Sequence, residues 1–456
     1  MAAPRGLPIE VEAALAHASV PNEAMVAVVQ EVGSRRSKLA WQADLPVNPA
    51  SLMKLITTLA GLELLGPSWT WNTPVWLQGQ VSEGVLDGNL VIKGVGDPKL
   101  VLERLWLLLR RVQQMGVTDI RGDIVLDRRA FAPGDENPGD FDGEVLRPYN
   151  VRPDALLLNQ KVVALTFTPD PARGVAVVGV DPSLADLSVD RSVPLAGGAC
   201  GDWRSALKSD FADIRRLRLA GSFALACGEK AWSLAHPDAK RYNERALLGM
   251  WREMGGRLGG GVRDGSAPDT PPSFEFASPP LAEVVRDINK FSNNVMAQQL
   301  FLTLALTQRG SGTSAAAREV LGGWLQERFG ALAAGARIDN GSGLSRDARA
   351  SAQLLAGLLQ SGWAGPLMPD LLGSLPVNGH DGTPRRSKTT PGRAHLKTGS
   401  LRDVSGVAGY VLSNNGRRHV LVAVINHTNA NAARPAIDAL VQWVINDPPP
   451  VTETSK

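Results

Sequence analysis

The sequence predicts an α/β protein of several domains, in which a β-rich insertion interrupts a domain made from both ends of the chain. Its 456 residues are too many for one ordinary hydrophobic core, so two or three domains are expected. Helical periodicity and strand-like segments occur together near both ends, whereas the middle shows short β-prone segments between Gly and Asp turns.

The N-terminal region is expected to end in a helix that begins near Ser51. Pro46 and Pro49 keep the preceding residues out of helical conformation, and Gly66-Pro67 ends the helix. The predicted elements are a helix at 9–18, strands at 24–32 and 38–42, and the helix at 52–65.

The middle of the chain, from about residue 68 to 265, is expected to be rich in short strands. These lie at 73–77, 89–93, 123–126, 162–168 and 175–180, with a helix at 101–115 and a loop at 131–153. After a linker at 267–272, helices are expected at 281–288, 295–306, 315–329 and 350–363, strands at 394–397, 405–412 and 419–426, and a last helix at 432–445.

The composition is that of a globular protein, with 44% hydrophobic and 20% charged residues and a net charge of +3. No basic run with interleaved aromatics indicates nucleic-acid binding, and no apolar run reaches the roughly 18 residues that span a bilayer. The N-terminus lacks the pattern of a secretory signal, which leaves a cytoplasmic protein or a processed chain as alternatives. No metal site or cofactor is expected.

The chain has two cysteines, Cys200 and Cys227. A disulfide between them would close a loop of about 28 residues and contribute roughly 3–4 kcal/mol in the chain-entropy model. Two buried free thiols are an equally good interpretation of the spacing.

The strongest candidate for chemistry is the segment Ser51-Leu-Met-Lys54 at the start of the second helix. Three positions apart on a helix, the Ser51 hydroxyl and the Lys54 amine are neighbours. A serine needs a base beside it to become nucleophilic, and burial can make a lysine such a base. By itself the segment is also consistent with an ordinary helix N-cap.

Two later segments supply partners for this pair. Ser292-Asn-Asn294 lies between two predicted helices, and Lys397-Thr-Gly-Ser400 lies on a predicted strand. Ser-x-x-Lys, Ser-x-Asn and Lys-Thr-Gly, in this order, match the serine β-lactamases and penicillin-binding proteins, although Asn293 stands where Asp is typical.

Each residue type suits acyl transfer. Ser51 is the candidate nucleophile, Lys54 its base, and Ser292 a hydroxyl relay to the leaving amine. The remaining candidates are expected to bind substrate. Asn294 would bind the substrate backbone, and Lys397, Thr398 and Ser400 would bind its anionic terminus. The backbone N–H groups of Ser51 and Ser400 would stabilise an oxyanion. Other lysines, including Lys99 and Lys161, are expected to be solvated.

The chain resembles the class C low-molecular-mass penicillin-binding proteins, the D-alanyl-D-alanine carboxypeptidase/endopeptidase family. Ser292 lies 238 positions after Lys54, which fits that family's large insertion. Further similar stretches are Gly94-Val-Gly-Asp-Pro-Lys-Leu100, Arg121-Gly-Asp-Ile-Val-Leu-Asp127, Asp339-Asn-Gly-Ser-Gly-Leu-Ser-Arg346 and Gly379-His-Asp-Gly-Thr383.

The resemblance implies a penicillin-binding transpeptidase/β-lactamase-like domain at 1–67 and 270–456, with two inserted domains. These are a β-rich domain II at 68–92 and 156–269, and a domain III at 93–155. It implies a periplasmic enzyme that acts on peptidoglycan stem peptides and cross-links and is acylated by β-lactam antibiotics. Cys200-Gly-Asp-Trp203 is also similar to the family, which favours an oxidised cysteine pair.

The resemblance further implies that the insertion helps to bind the free amine of the peptide side chain. Glu144, Tyr149 and Arg346 are the candidates by position, with Asp142 as a rival to Glu144. A serine β-lactamase or esterase of the same superfamily and a non-catalytic penicillin-binding scaffold remain alternative functions.

Overall fold

The structure is a computed structural model that describes residues 6–132, 134 and 137–447. The chain forms two units. Unit 1 consists of Met1–Thr70, Ala132–Gly134 and Pro279–Lys456, and unit 2 of Trp71–Phe131 and Asp135–Ser278. The predicted limits of the insertion, residues 68 and 269, lie close to the limits of unit 2.

The N-terminal part of unit 1 has the four predicted elements. They are α1 (Ile9–His17), β1 (Met25–Glu31), β2 (Ser37–Trp41) and α2 (Met53–Leu65). A 3-10 turn, Ala50–Leu52, precedes α2, so Ser51 lies just before the α-helix and makes no side-chain cap. Gly66, with φ of 88°, ends α2 as expected.

Unit 2 is built from short strands and two helices. Its elements are β3 (Asn72–Ser82), β4 (Val85–Lys93), α3 (Leu102–Gln114), β5 (Asp119–Ile120), β6 (Ile124–Asp127), β7 (Phe131–Ala132, which ends in unit 1), β8 (Val162–Asp170), β9 (Val175–Asp181), β10 (Ser188–Val189), β11 (Ser192–Ala196), β12 (Leu207–Asp213), β13 (Arg216–Gly221), β14 (Phe223–Ala224), β15 (Lys230–Ala235), α4 (Ala239–Glu253), β16 (Arg257–Leu258), β17 (Val262–Asp264) and β18 (Phe274–Ala277).

The strands of unit 2 form three sheets. One runs β16-β5-β4-β3-β18, with β6 and β17 joined to β4; the others run β14-β11-β9-β8-β15 and β10-β13-β12. Strands β5 and β6 pair with β4 across the expected boundary between domains II and III at residue 92, so these two parts share a sheet. The division of the insertion into two domains stays a prediction.

Unit 2 contains two features that the sequence analysis did not predict and a third that the family resemblance favoured. The helix α4 lies in a region that was expected to be β-rich, and it buries Tyr242, Ala246 and Trp251. Lys161 is buried rather than solvated, because its ammonium group forms an ion pair of 2.6 Å with Asp154. Cys200 and Cys227 form a disulfide, which decides between the two interpretations of the cysteines.

The C-terminal part of unit 1 completes the first domain. Its elements are α5 (Leu281–Phe291), α6 (Asn294–Arg309), β19 (Gly312–Thr313), α7 (Ser314–Phe329), α8 (Ala352–Ala364), α9 (Met368–Ser374), β20 (Ala394–Leu401), β21 (Val404–Leu412), β22 (Arg418–Asn426) and α10 (Arg434–Ile445).

The central sheet of unit 1 joins the two chain ends. Its order is β2-β1-β22-β21-β20, and all neighbouring strands are antiparallel. The helices α1 and α10 cover one face through a shared apolar core, which includes Val11, Leu15 and Leu440. Because β20 is an edge strand, the backbone N–H and C=O groups on its outer side form no hydrogen bonds with another strand of this sheet.

The helix α2 is buried within unit 1 beside α5 and α6. Its apolar side chains Leu55, Ile56 and Leu59 are fully buried, as expected from their helical spacing. No helix among the described residues is long and apolar enough to cross a membrane.

Candidate active site

The backbone before Ser51 is held in an uncommon conformation. Ala50 has φ of 47°, in the left-handed region that side chains other than glycine seldom adopt. Its N–H donates to the side chain of Asn48 (2.9 Å), and Asn48 in turn donates to the carbonyl of Ser345 (2.9 Å). This turn places the half-buried Ser51 side chain at a cavity wall.

Two glycines allow other segments to approach this turn. A Cβ on Gly343 would lie 1.9 Å from the carbonyl oxygen of Ala50, and one on Gly399 would lie 2.8 Å from that of Pro49. Real side chains do not tolerate such distances, so only glycine fits at either position. Gly399 thereby lets β20 pack directly against the segment that carries Ser51.

Lys54 lies beside Ser51 and is fully buried. Its amine nitrogen is 2.9 Å from Ser51 Oγ, 2.6 Å from Asn294 Oδ1 and 2.6 Å from the carbonyl oxygen of Ser342. Burial, with a smaller contribution from the charge of Lys397, lowers the pKa of Lys54 well below its usual value.

The lowered pKa favours the neutral amine, and the three contacts are compatible with that form. A neutral lysine has two N–H donors and one lone pair. The amide oxygen of Asn294 and the carbonyl of Ser342 can only accept, so they take the two N–H groups. The lone pair is then left for the Ser51 hydroxyl, the one neighbour that can donate a proton.

Ser292 and Lys397 form a second pair. Lys397 is fully buried, and its amine donates to Ser292 Oγ (2.8 Å) and to the carbonyl of Thr398 (2.7 Å). Burial lowers the pKa of Lys397 to about 7. Ser292 has φ of 56° at the end of α5, and Asn293 caps α6 by accepting from the N–H of Met296. The two helix ends thus fix the Ser292 side chain.

The residues of the three predicted segments meet around one cavity in unit 1. It has a volume of about 280 Å³, and Ser51, Ser292, Thr398 and Ser400 line it. Lys54, Asn294 and Lys397 lie behind this wall, in contact with the two serines or with each other. The structure therefore brings together all of the predicted residues that belong to the three motifs.

Thr383, Asn431 and Arg434 are among the lining residues that were not predicted. Thr383 lies with its hydroxyl oxygen 2.5 Å from that of Thr398, Asn431 accepts from Ser400 Oγ (3.3 Å), and Arg434 starts α10. Arg434 is the only formally charged side chain among the described residues that line the cavity. Thr383 ends the stretch Gly379–Thr383 that resembles the family, whereas nothing in the sequence pattern distinguishes Asn431 or Arg434.

The candidates for recognising the peptide side chain come from both units. Arg346, in unit 1, forms an ion pair of 3.2 Å with Asp403. In unit 2 the hydroxyl of Tyr149 donates to Asp142 (2.8 Å), while Glu144 is exposed and pairs with Arg147 (3.4 Å). The hydroxyl group of Tyr149 thus contacts the rival carboxylate, Asp142.

In the described part of the chain, no group of three or more His, Cys, Asp or Glu residues is arranged to hold a metal ion. The site is instead made of hydroxyl, amine and amide groups. A hydroxyl beside a buried amine of lowered pKa can be activated as a nucleophile, and the edge-strand N–H groups and Arg434 can donate to an anionic group.

Comparison with known proteins agrees with this chemistry. The D-alanyl-D-alanine carboxypeptidase DacB of Haemophilus influenzae is 24% identical over 392 residues, which is 83% of this chain and 80% of the relative. The D-alanyl-D-alanine carboxypeptidase of Actinomadura sp. is 26% identical over 424 residues, covering 85% of this chain and 75% of the relative.

The fold also matches solved structures. The crystal structure of penicillin binding protein 4 (dacB) from Haemophilus influenzae gives a TM-score of 0.77 at 21% identity, covering 96% of this chain and 100% of the other. The predatory endopeptidase Bd3459 of Bdellovibrio bacteriovorus, in its K38M form, gives 0.54 at 14% identity, covering 92% of each chain. The predicted multi-domain α/β penicillin-binding fold is confirmed.

The family profile described as D-Ala-D-Ala carboxypeptidase 3 (S13) matches residues 7–446, nearly the whole sequence. This match confirms the predicted resemblance to the class C low-molecular-mass penicillin-binding proteins. The chain belongs to the D-Ala-D-Ala carboxypeptidase 3 (S13) family.

Proposed function

We propose that the chain is a serine D-alanyl-D-alanine carboxypeptidase and endopeptidase that acts on peptidoglycan peptides through an acyl-enzyme at Ser51. The observation that carries this proposal is the contact of 2.9 Å between Ser51 Oγ and the buried amine of Lys54. Membership of the peptidase family and the named carboxypeptidase relatives support the same reaction.

Acylation begins when the Ser51 hydroxyl attacks the carbonyl carbon of the penultimate D-Ala. Lys54 takes the hydroxyl proton, a role that its lowered pKa favours because burial disfavours the charged form of the amine before the reaction. The negative charge moves to the carbonyl oxygen. The backbone N–H groups of Ser51 and of Ser400, on the edge strand β20, are the donors that stabilise it.

The leaving amine needs the proton that Lys54 has taken. Ser292 is suited to pass it on, because a hydroxyl accepts and donates and Lys397 holds its oxygen at 2.8 Å. The C–N bond then breaks, the terminal D-Ala leaves with a neutral amine, and the peptide stays on Ser51 as an ester. Water attacks this ester and Lys54 takes the water proton. The C–O bond to Ser51 then breaks, Lys54 returns the proton to the Ser51 oxygen, and the peptide leaves with a free carboxyl group.

Recognition of the C-terminal carboxylate is assigned to the other end of the cavity. The hydroxyls of Thr398 and Ser400 are neutral donors there, and Arg434 adds a permanent positive charge. Because the pKa of Lys397 lies near 7, its own charge is only partial at neutral pH. Lys397 therefore contributes to carboxylate binding mainly below pH 7.

Recognition of the peptide side chain is assigned to the loop of unit 2 that contains Asp142, Glu144 and Tyr149. A free amine on the substrate would pair with one of the two carboxylates and contact the ring. The hydrogen bond from Tyr149 to Asp142 favours Asp142, and Glu144 remains the alternative. Arg346 of unit 1, which is paired with Asp403, is retained as a third candidate.

Peptidoglycan peptides are the substrates of the proposed reaction, β-lactams are the antibiotics that would acylate the same serine, and the periplasm is the proposed compartment. A solved relative in this fold carries a bound β-lactam. The disulfide between Cys200 and Cys227 supports an oxidising compartment, because such bonds are rare in the cytosol.

The proposal is tested by measuring D-Ala release from a D-Ala-D-Ala peptide, penicillin adducts by intact mass, and nitrocefin turnover. We expect D-Ala release and one penicillin adduct in the wild type, and neither in Ser51→Ala. The control is Ser68→Ala, which changes an exposed serine outside the cavity. Fast nitrocefin turnover without D-Ala release would indicate a β-lactamase, and an adduct without any turnover would indicate a non-catalytic scaffold.

A further inference from the structure

Unit 2 contains a second cavity, which the proposed reaction does not use. It has a volume of about 490 Å³, within the range typical of small-molecule sites. Arg241 and Arg245 reach it from α4, one helical turn apart, and Arg215 reaches it from the turn between β12 and β13. Asp186, Glu244, Ala185, Leu248 and Val262 complete its lining.

Arg245 is the unusual member of this group, because only 7% of it is exposed. Five lysine and arginine residues are buried in the described part of the chain: Lys54, Lys161, Lys290, Lys397 and Arg245. Lys161 and Lys290 pair with aspartates, and Lys54 and Lys397 belong to the active site. Arg245 neither pairs with an aspartate of the described residues nor belongs to the active site.

The contacts of Arg245 leave most of its donors available. One guanidinium nitrogen donates to the carbonyl of Ile214 (2.8 Å), and no carboxylate of the described residues lies within 4.0 Å. A guanidinium group has five N–H donors. A buried charge without a partner of opposite sign is costly, so such groups are normally paired or bind a ligand.

The two acids at the cavity do not neutralise the three arginines. Neither Asp186 nor Glu244 forms an ion pair with an arginine among the described residues. Burial raises the pKa of Glu244, although Arg241 and Arg128 oppose this shift. A carboxylate firmly paired with arginine would instead have a lowered pKa.

The arginines are also held in place by their backbones. The carbonyl of Arg245 accepts from the N–H of Ala185 (3.0 Å), and the carbonyl of Arg215 accepts from the N–H of Ser188 (2.8 Å). The N–H of Arg241 donates to the capping side chain of Asp238 (3.2 Å). Arginines of α4 and of the turn between β12 and β13 therefore line one cavity, and hydrogen bonds hold the backbone at each of them.

We propose that this cavity of unit 2 is a binding site for an oxyanion group, a carboxylate or a phosphate, with Arg245 as its central ligand and Arg241 and Arg215 as its flanking ligands. Planar guanidinium groups bind both kinds of oxyanion with paired hydrogen bonds. The cavity is larger than a single ion requires, so the oxyanion is part of a small organic molecule or of a polymer end. The site is independent of the reaction at Ser51.

The test is isothermal titration of the full chain with inorganic phosphate and, separately, with succinate. We expect one of them to bind with a Kd below about 10 mM, more weakly as salt is added. Arg241→Gln and Arg215→Gln should each raise that Kd about tenfold, since each removes a charged hydrogen bond. Arg245→Gln should abolish binding. If this change at a buried residue unfolds the chain, Arg241→Gln and Arg215→Gln, which change exposed residues, still test the proposal.

The matched control is Arg252→Gln, which removes the same charge from an exposed position of α4 outside the cavity. It should change the Kd less than twofold. Binding of phosphate alone assigns a phosphate-bearing ligand, and binding of succinate alone assigns a carboxylate. The proposal is overturned if neither probe binds, or if Arg241→Gln and Arg215→Gln bind like the wild type.

Discussion

Replacing Lys54 by methionine tests the central step of the proposed reaction. Methionine keeps an unbranched apolar side chain inside α2 but removes the amine that contacts Ser51 at 2.9 Å. Loss of a general base typically lowers a rate by about 10² to 10⁴. This corresponds to about 2.7–5.5 kcal/mol of transition-state stabilisation.

The same change should affect stability only moderately. Asn294 Oδ1 and the carbonyl of Ser342 each lose the amine as a donor. A buried acceptor left without a partner costs about 1–3 kcal/mol. Removal of a fully buried amine offsets part of this cost, because burial already disfavours its charged form.

The assay is the second-order rate constant of penicillin acylation, followed by intact mass, with urea unfolding measured in parallel. Lys388→Met, at an exposed lysine of unit 1, is the control and should acylate like the wild type. A Lys54→Met protein that is folded and still acylates within a few-fold of the wild type would refute Lys54 as the base.

Four further predictions follow from the same contacts. In steady-state kinetics, Arg434→Gln should raise KM about tenfold for a peptide with a free C-terminal carboxylate and leave the rate for the corresponding carboxamide peptide unchanged. Equal effects on the two peptides would show that Arg434 does not recognise the carboxylate. Because the pKa of Lys397 falls from 10.5 to about 7 on folding, the unfolded chain binds more protons between these values. Unfolding free energy should therefore rise with pH over this window, by up to about 1.4 kcal/mol per pH unit from this group, and Lys397→Met should flatten the rise in urea titrations. The double change Cys200→Ser and Cys227→Ser should lower the free energy of unfolding by roughly 3–4 kcal/mol, the chain-entropy value for this loop, and an unchanged urea midpoint would contradict it. Peptides with a free side-chain amine should be cleaved roughly ten- to a hundredfold faster than acetylated ones. If the Tyr149 contact identifies the carboxylate, Asp142→Asn should remove more of that preference than Glu144→Gln. Equal cleavage of both peptides would leave both acids as ordinary surface groups.

The grouping of the motif residues around one cavity could be predicted because these residues form short local patterns. Ser51 and Lys54 lie one helical turn apart, and Ser292 and Lys397 belong to motifs with a fixed order. The spacing of the apolar residues likewise predicted α2 and the three C-terminal strands close to their observed limits.

The parts that escaped prediction depend on contacts between distant residues. Arg434 reaches the cavity because α10 packs on the central sheet, and nothing in its local sequence shows this. The burial of Lys161 depends on a fold that brings it to Asp154. The helix α4 has a helical pattern of its own, but the β-prone segments around it concealed this pattern.

The arrangement of the central sheet has a consequence for how the protein is made. The strand β1 is synthesised early, yet one of its two neighbours is β22, and Met25 pairs with Ile425. At about 5–20 residues per second, β1 waits roughly 20–80 seconds for that neighbour. Unit 2 can leave the ribosome before then, while the segments of Ser51 and Lys397 remain apart. Peptidase activity should therefore appear only after the last strands have been translated, and a ribosome-arrested chain that lacks β22 should not react with penicillin.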